Sequence, residues 1–212
     1  MVLAVIPFRP ENPKTRLSCV LDPAEREEFA LMMLRDVVEK TTLAGCSNIL
    51  LSTEDYSLEG VSTVVKKLGL NEALNEFLSE TDEPVLIIMS DIPLVTLENI
   101  RSILSIKSDC AIVPGRGGGT NTIFIKEPSR FRVDFYGASF LDHTNIAKEA
   151  GLSVDVIDTF RMSTDIDEKE DLVEILLHGN GESRRYLESL GFRLSVNKGR
   201  VGVQRDSHEE AL

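Results

Sequence analysis

The chain alternates short, wholly apolar runs with longer stretches in which apolar residues recur every three or four positions, and few folds accommodate that alternation. Residues 2–6, 48–52, 62–65, 85–89 and 110–113 are the apolar runs, each bounded by Pro, Gly or polar groups. Runs of this length read as strands buried on both faces. Between them, residues 23–42, 70–79 and 96–106 carry helical periodicity. The first has Asp22 as N-cap, Pro23 at the first helical position, Glu25, Glu27 and Glu28 in its opening turns, and Gly45 beyond its end. Its Phe29, Met32, Met33 and Val37 share one side, which predicts a stripe packed on a sheet. Strands separated by helices cross over to run parallel, giving an α/β fold: a three-layer α/β/α sandwich around a mostly parallel sheet. Ligands of such sheets sit beyond the carboxyl ends of the strands.

After Pro114 the reading continues with a strand over 120–126, a helix over 139–150 and a strand over 154–157. Two helices over 171–177 and 183–190 follow, then a hairpin over 192–205 turning near Asn197, Lys198 and Gly199, and a frayed tail over 206–212. With no internal repeat or low-complexity linker, residues 1–212 form a single domain with a C-terminal helical and hairpin extension from about 171. The extension adds Leu172, Ile175, Leu176, Leu187, Phe192 and Val203 with no sheet face left to cover, which predicts a homodimer.

Charge narrows the partners. The 23 Lys and Arg stand against 35 Asp and Glu, a net of −12, and an acidic chain makes a poor nucleic-acid ligand because it has no basic face with which to release phosphate counterions. No apolar run reaches 18 residues, and the first nine lack the small-residue cleavage site of a signal peptide, so the expectation is a cytoplasmic protein that does not bind membranes. Cys19, Cys46 and Cys110 match neither a CxxC pair nor a zinc site. His143, His178 and His208 have no catalytic partner at a recurring spacing and read as surface or structural, and no GxSxG elbow is present.

Four segments stand out. The loop after the first run carries Arg9, Lys14 and Arg16 against one acid, Glu11, in an otherwise acidic chain. It suits a polyphosphate, Arg forking onto phosphate oxygens and Lys adding a point charge, or it is an exposed basic loop. It lacks the glycines of a Walker loop. Asp91 stands one residue past the fourth run, where it is either a metal ligand or a turn cap. In residues 163–168, Asp165 and Asp167 are two apart; an extended backbone puts both carboxylates on one side with Ile166 inward, suiting magnesium, whereas a helical one makes them N-caps. Finally, Gly115, Gly117, Gly118 and Gly119 lead into Thr120 and Asn121, either to let backbone amides approach a ligand or simply to join two strands.

Taken in order, these segments resemble the 2-phospho-L-lactate guanylyltransferase family, which acts in making the deazaflavin coenzyme F-420. The resemblance rests on Val5-Ile6-Pro7-Phe8-Arg9 with Lys14-Thr15-Arg16-Leu17, on Ser90-Asp91-Ile92-Pro93-Leu94, on Gly118-Gly119-Thr120-Asn121, and on Asp165-Ile166-Asp167 with Asp171-Leu172, and spans residues 2 to about 195. Ser90 stands where the family pattern has Gly, and the stretch leading to Ser139 is one residue shorter than usual. The resemblance implies a nucleotidyltransferase sheet of the nucleotide-diphospho-sugar transferase-like type and transfer of GMP from GTP to 2-phospho-L-lactate, releasing pyrophosphate. It further implies that Lys14, Arg16 and Asp91 are catalytic and that Arg9, Lys14, Arg16 and Asp91 bind the nucleotide; Thr53 and Glu54, just past the second apolar run, are candidates for the nucleotide side by their position. Gly119, Thr120, Asn121 and Ser139 would bind the acceptor, and Asp91, Asp165 and Asp167 would hold Mg2+. The rival readings are a molybdopterin-type guanylyltransferase, a sugar-nucleotide glycosyltransferase and a nucleotide-sensing module that binds GTP without turnover.

Overall fold

The computed structural model describes residues 1–206, so the tail over 207–212 lies outside the described residues. Seven strands, β1 (Leu3–Pro7), β2 (Ser47–Ser52), β3 (Ser62–Val65), β4 (Val85–Ile88), β5 (Cys110–Pro114), β6 (Thr120–Ile125) and β7 (Val154–Val156), form one sheet in the order β3-β2-β1-β4-β6-β5-β7. Every pairing is parallel except those of β6, which runs antiparallel to both β4 and β5. The cause is the connection: residues 115–119 are too few for a parallel crossover, so the chain reverses. That reversal brings the start of β6 to the rim where the parallel strands end.

The helices are α1 (Pro23–Leu43), α2 (Leu70–Ser79), α3 (Leu97–Leu104), α4 (Ser139–Glu149), α5 (Phe160–Ser163), α6 (Leu172–His178) and α7 (Glu182–Ser189). Alternate strand residues face opposite layers. Ala4, Ile6, Leu86 and Ile88 pack with Ala30, Leu34 and Val37 of α1 and Ile100 and Ile103 of α3. On the other face, Val5, Val85 and Ile87 pack with Leu74, Phe77 and Leu78 of α2 and with Ile146 and Ala147 of α4. This is the expected three-layer sandwich, reached by the expected capping of α1: the Asp22 carboxylate accepts from Glu25 N at 2.9 Å.

Two expectations need correction. The stripe on α1 divides: Val37 faces the sheet, whereas Phe29 and Met33 turn to a third core with Leu17, Leu94, Ile166, Leu172, Ile175, Leu176, Leu187, Phe192 and Val203. Leu172, Ile175, Leu176, Leu187, Phe192 and Val203 are therefore at most 9% exposed within one chain, and their burial removes the reason given for a homodimer without testing the homodimer itself. Asp36 of α1 fastens the extension by accepting from the Glu182 and Ser183 amides at the start of α7, at 2.6 and 3.1 Å. Beyond it, β8 (Phe192–Asn197) and β9 (Arg200–Arg205) form the predicted hairpin. Its turn puts Lys198 and Gly199 at positive φ, as a two-residue primed turn requires.

Candidate active site

The basic loop folds back over the rim of the sheet because α1 grips it. Arg26, almost fully buried, donates to the Asn12 side chain at 2.8 Å and to the Pro13 carbonyl at 3.2 Å. Asn12 and Lys14 take left-handed backbone angles, φ 43° and 51°, unusual away from glycine and held here by that clamp. After them residues 15–19 wind into a short 3-10 turn whose Leu17 is buried. The outcome is a division of labour among the three cations. Arg9 and Arg16 point outward, their side chains 75% and 69% exposed. The Lys14 side chain, only 11% exposed, turns inward and places its ammonium 2.7 Å from Asp91 Oδ2 and 2.6 Å from Asp167 Oδ1. Burial works against that charge, but the two carboxylates outweigh it and hold the Lys14 pKa above its ordinary value.

The acidic stretch is extended, as its spacing allowed. Ile166 is fully buried and its amide donates to the Asp91 carbonyl at 3.0 Å, which ties residues 165–167 to the end of β4. Neither Asp165 nor Asp167 caps a helix. That work falls to Asp171, whose Oδ2 accepts from the Asp167 and Glu168 amides at 2.9 and 2.8 Å. The other Asp171 oxygen accepts from Arg116 in the glycine-rich loop at 2.6 Å. Asp165 has a buried Oδ1 with no partner among the described residues, and burial, followed by the charges of Asp91 and Asp167, raises its pKa.

The expected three-carboxylate cage of Asp91, Asp165 and Asp167 is not formed as such: among the described residues no three acidic, His or Cys groups are gathered closely enough to hold a metal unaided. The Lys14 ammonium lying between Asp91 and Asp167 is the physical reason. The set nonetheless fits magnesium, which takes only one or two carboxylates from protein and completes its shell with water and phosphate oxygens. An orphaned, desolvated carboxylate oxygen beside a second carboxylate is a donor set of that type.

Two clefts of about 390 Å³ each open beside this cluster and share Phe8, Arg9, Ser90 and Asp91. One runs along the basic loop past Asn12, Pro13 and Lys14. The other follows the ends of β1 and β2 past Ser52 and Thr53 to Lys66, Gly69 and Leu70. Thr53 thus lies where a nucleotide reaching away from Lys14 would pass.

The acceptor residues are placed differently. Asn121 is buried, its side-chain amide donating to the Met162 carbonyl at 3.0 Å and its backbone carbonyl accepting from Met89 N, so it supports Asp165 and is not a surface ligand. Gly115 is required there, since a Cβ would come within 2.4 Å of the Asn121 oxygen. Gly119 closes the loop by accepting from Gly115 N, and Gly118, at φ 89°, accepts from Phe140 N in the first turn of α4. Thr120 and Ser139 hydrogen-bond to each other, and Thr120 to His143, all three buried. Sequence reasoning gave no role in the site to His143, Asp171, Arg116 or Arg26, because the bonds Asp171–Arg116, His143–Thr120 and Arg26–Asn12 join residues 14 to 55 positions apart.

Burial pushes the His143 pKa down to about 4. The unfolded chain then binds a proton between about pH 6.5 and 4 that the folded chain refuses, so stability is lost as pH falls through that window, by about 3 kcal/mol at its end. Melting curves from pH 7 to 4 should fall more steeply for the parent than for His143→Gln. Equal slopes would show that His143 titrates normally.

A parallel sheet with one reversed strand, carboxylates and cations meeting at its carboxyl rim, and clefts running out from them define a nucleotidyltransferase. Solved structures agree on the fold: a nucleotidyl transferase from Methanothermobacter superposes with a TM-score of 0.62 at 15% identity, covering 89% of this chain and 99% of that one. A 4-diphosphocytidyl-2C-methyl-D-erythritol synthase from Anaerococcus prevotii gives 0.54 at 13% identity, covering 89% and 96%. Residues 2–207 match the model of the family described as guanylyl transferase CofC like, and the chain belongs to that family. It is 59% identical to a 2-phospho-L-lactate guanylyltransferase of Methanoculleus marisnigri over 99% of this chain and 98% of that one. It is 54% identical to the protein of that name in Methanoregula boonei, over 95% and 94%.

Proposed function

We propose that this chain transfers GMP from GTP to 2-phospho-L-lactate. A phosphate oxygen of the acceptor attacks the α-phosphorus of GTP, the bond from that phosphorus to the bridging oxygen breaks, and pyrophosphate leaves with the electron pair, giving lactyl-2-diphospho-guanosine. The observation that carries the reading is the meeting of Lys14, Asp165 and Asp167 with Asp91, the carboxylate that lines both clefts. The names of the similar proteins support the choice of substrates.

An acceptor phosphate is already a nucleophile near neutral pH, so the protein's task is positioning and neutralising charge. Arg9 and Arg16, exposed on the loop, bind phosphate oxygens of GTP, and Lys14 exchanges its carboxylate partners for phosphate as the nucleotide arrives. Asp91, Asp165 and Asp167 are the residues that would hold Mg2+, which when bound draws charge from the phosphates. Thr53 lines the nucleotide side, and the Gly119–Thr120 loop with Ser139 meets the acceptor. Among the described residues no helix is long and apolar enough to cross a membrane, and the cytoplasm is where GTP and magnesium are supplied.

Each of 2-phospho-L-lactate, phosphoenolpyruvate and phosphoglycerate should be offered with each nucleoside triphosphate and pyrophosphate measured. GTP with 2-phospho-L-lactate should be the fastest pair. GTP that binds and releases no pyrophosphate with any acceptor overturns the reading in favour of a sensing module. As to assembly, the proposed homodimer now rests on Leu194, Val196 and Val201, which the hairpin leaves 37%, 75% and 51% exposed. Light scattering should find two chains per particle, and one chain across micromolar concentrations would exclude it.

A further inference from the structure

His143 has no part in the cluster of charges, yet it sits at the centre of a network that leaves one proton without a partner. The residue is fully buried under Phe135, whose ring meets the imidazole edge-on at 4.7 Å. Its Nε2 lies 2.9 Å from the backbone amide of Asp134. An amide N–H can only donate, so Nε2 is bare and the single proton of the neutral imidazole is on Nδ1. The amide itself is fixed by α2: Asn71 accepts from Phe135 N at 2.8 Å and donates to the Asp134 carboxylate at 2.9 Å, while Asn75 accepts from Val133 N at 2.8 Å.

The Nδ1 proton fixes the direction of the bond to Thr120 and, with it, the proton count of the pair beyond. Nδ1–H donates to Thr120 Oγ1 at 2.9 Å, and Thr120 Oγ1 lies 3.2 Å from Ser139 Oγ. Thr120 and Ser139 bring two hydroxyl protons between them, and only one can lie in the bond that joins them. Whichever hydroxyl donates to the other, one proton remains, and no acceptor for it is within hydrogen-bonding reach among the described residues. Both residues are under 5% exposed, so that unused donor is buried, and an unmade hydrogen bond there is costly. It lies where the glycine-rich loop meets the first turn of α4, one residue from Asn121, which supports Asp165. A group able only to accept, above all a phosphate, satisfies it; a ligand hydroxyl or ammonium that must donate does not.

We propose that His143 is a positioning residue for the acceptor: its Nδ1 proton fixes the Thr120–Ser139 pair as a hydrogen-bond donor to the acceptor's phosphate. This rests on the functional reading above, in which a phosphorylated acid occupies that side of the rim. Burial keeps the imidazole neutral at physiological pH, consistent with this tautomer.

Two near-isosteric variants separate the roles of the two ring nitrogens. His143→Asn places an amide NH2 near the position of Nδ1 and keeps the donor to Thr120. His143→Gln places its amide oxygen near the position of Nε2, keeps the Asp134 amide satisfied and withdraws that donor. The Gln variant should raise the KM for 2-phospho-L-lactate tenfold or more with the KM for GTP within twofold of the parent, whereas the Asn variant should keep both within threefold. Equal effects of the two variants on the acceptor KM, or none, overturn the proposal provided the parent turns over. A parent that makes no pyrophosphate from GTP and 2-phospho-L-lactate overturns the functional reading instead. Should neither variant fold, 15N spectra of imidazole-labelled parent decide. His143 should show the Nδ1–H tautomer, with a proton resonance that moves on adding 2-phospho-L-lactate and not on adding GTP; an Nε2–H tautomer overturns the proposal.

Discussion

Asp165→Asn should abolish most turnover while leaving the fold as stable as the parent or slightly more so. The carboxylate is desolvated, has an oxygen without a partner and feels the negative charges of Asp91 and Asp167. Removing its charge relieves the repulsion and the desolvation cost, a gain of roughly 1 kcal/mol in a site only partly buried. The same change removes a proposed magnesium ligand from a reaction that depends on neutralised phosphates, where the loss of one electrostatic contact costs about 100- to 1000-fold in rate. Asp91→Asn should lose activity to a similar degree but also lose stability, because Lys14 keeps only Asp167 as a partner. In both variants the magnesium needed for half-maximal rate should rise, with partial recovery at high metal. Glu168→Gln is the control: Glu168 is exposed, lies 3.8 Å from Arg16 and caps the short turn over 169–171 with an oxygen that Gln retains, so rate and melting temperature should stay close to the parent's. Full, metal-independent activity in Asp91→Asn and Asp165→Asn would remove the shared-metal reading, and a large loss of stability in Asp165→Asn would show that the carboxylate serves the fold.

The legible parts of this chain are those whose physics is local. Strand and helix periods, the Asp22 cap and the Lys198-Gly199 turn each depend on a few neighbouring residues, and the structure has them where the sequence put them. The extended backbone at 165–167 was one of two readings, and the burial of Ile166 decides between them. Less legible was anything that depends on which elements meet. The division of the α1 stripe could not be read because a helix buried on two sides shows no single apolar face, and most of the second side is supplied by residues from Ile166 onward, more than a hundred positions later. The argument for a homodimer from Leu172 to Val203 fails for the same reason: these residues lacked a visible partner only because α1 was assigned wholly to the sheet. In the site, the four segments were recognisable one by one, yet the pairing of Lys14 with two carboxylates follows from the Arg26 clamp and the left-handed turn at Asn12 and Lys14. Thr120, Asn121 and Ser139 were all assigned to the acceptor on their chemistry, and since all three are buried, only their hydrogen-bond partners separate Asn121, whose amide is taken by the Met162 carbonyl, from the hydroxyl pair that His143 orients.

That contrast among the loop cations sets the second large effect. Arg16→Ala and Lys14→Met should both weaken GTP binding, since hydrogen bonds to charged groups contribute about 1.5 to 3 kcal/mol, or roughly ten- to over a hundredfold in Kd. They should differ in stability. The Arg16 side chain is largely exposed and lies 3.8 Å or more from its acidic neighbours, so its loss should leave the melting temperature within about a degree. Lys14 is almost wholly buried between Asp91 and Asp167, and Met, which matches its length without its charge, leaves those carboxylates facing each other and Asp165. A cost of about 2 kcal/mol is expected, enough to lower the melting temperature by roughly 4 to 8 °C in a domain of this size. Added magnesium should restore part of that loss in Lys14→Met, because a divalent cation supplies the charge the ammonium removed, and should leave Arg16→Ala unchanged. Calorimetry of each variant with GTP, and melting with and without magnesium, reads both effects. A Lys14→Met protein that melts like the parent and ignores magnesium would mean that the carboxylates are not held together by Lys14. An Arg16→Ala protein that binds GTP like the parent would mean that the outward cations of the loop are solvated surface.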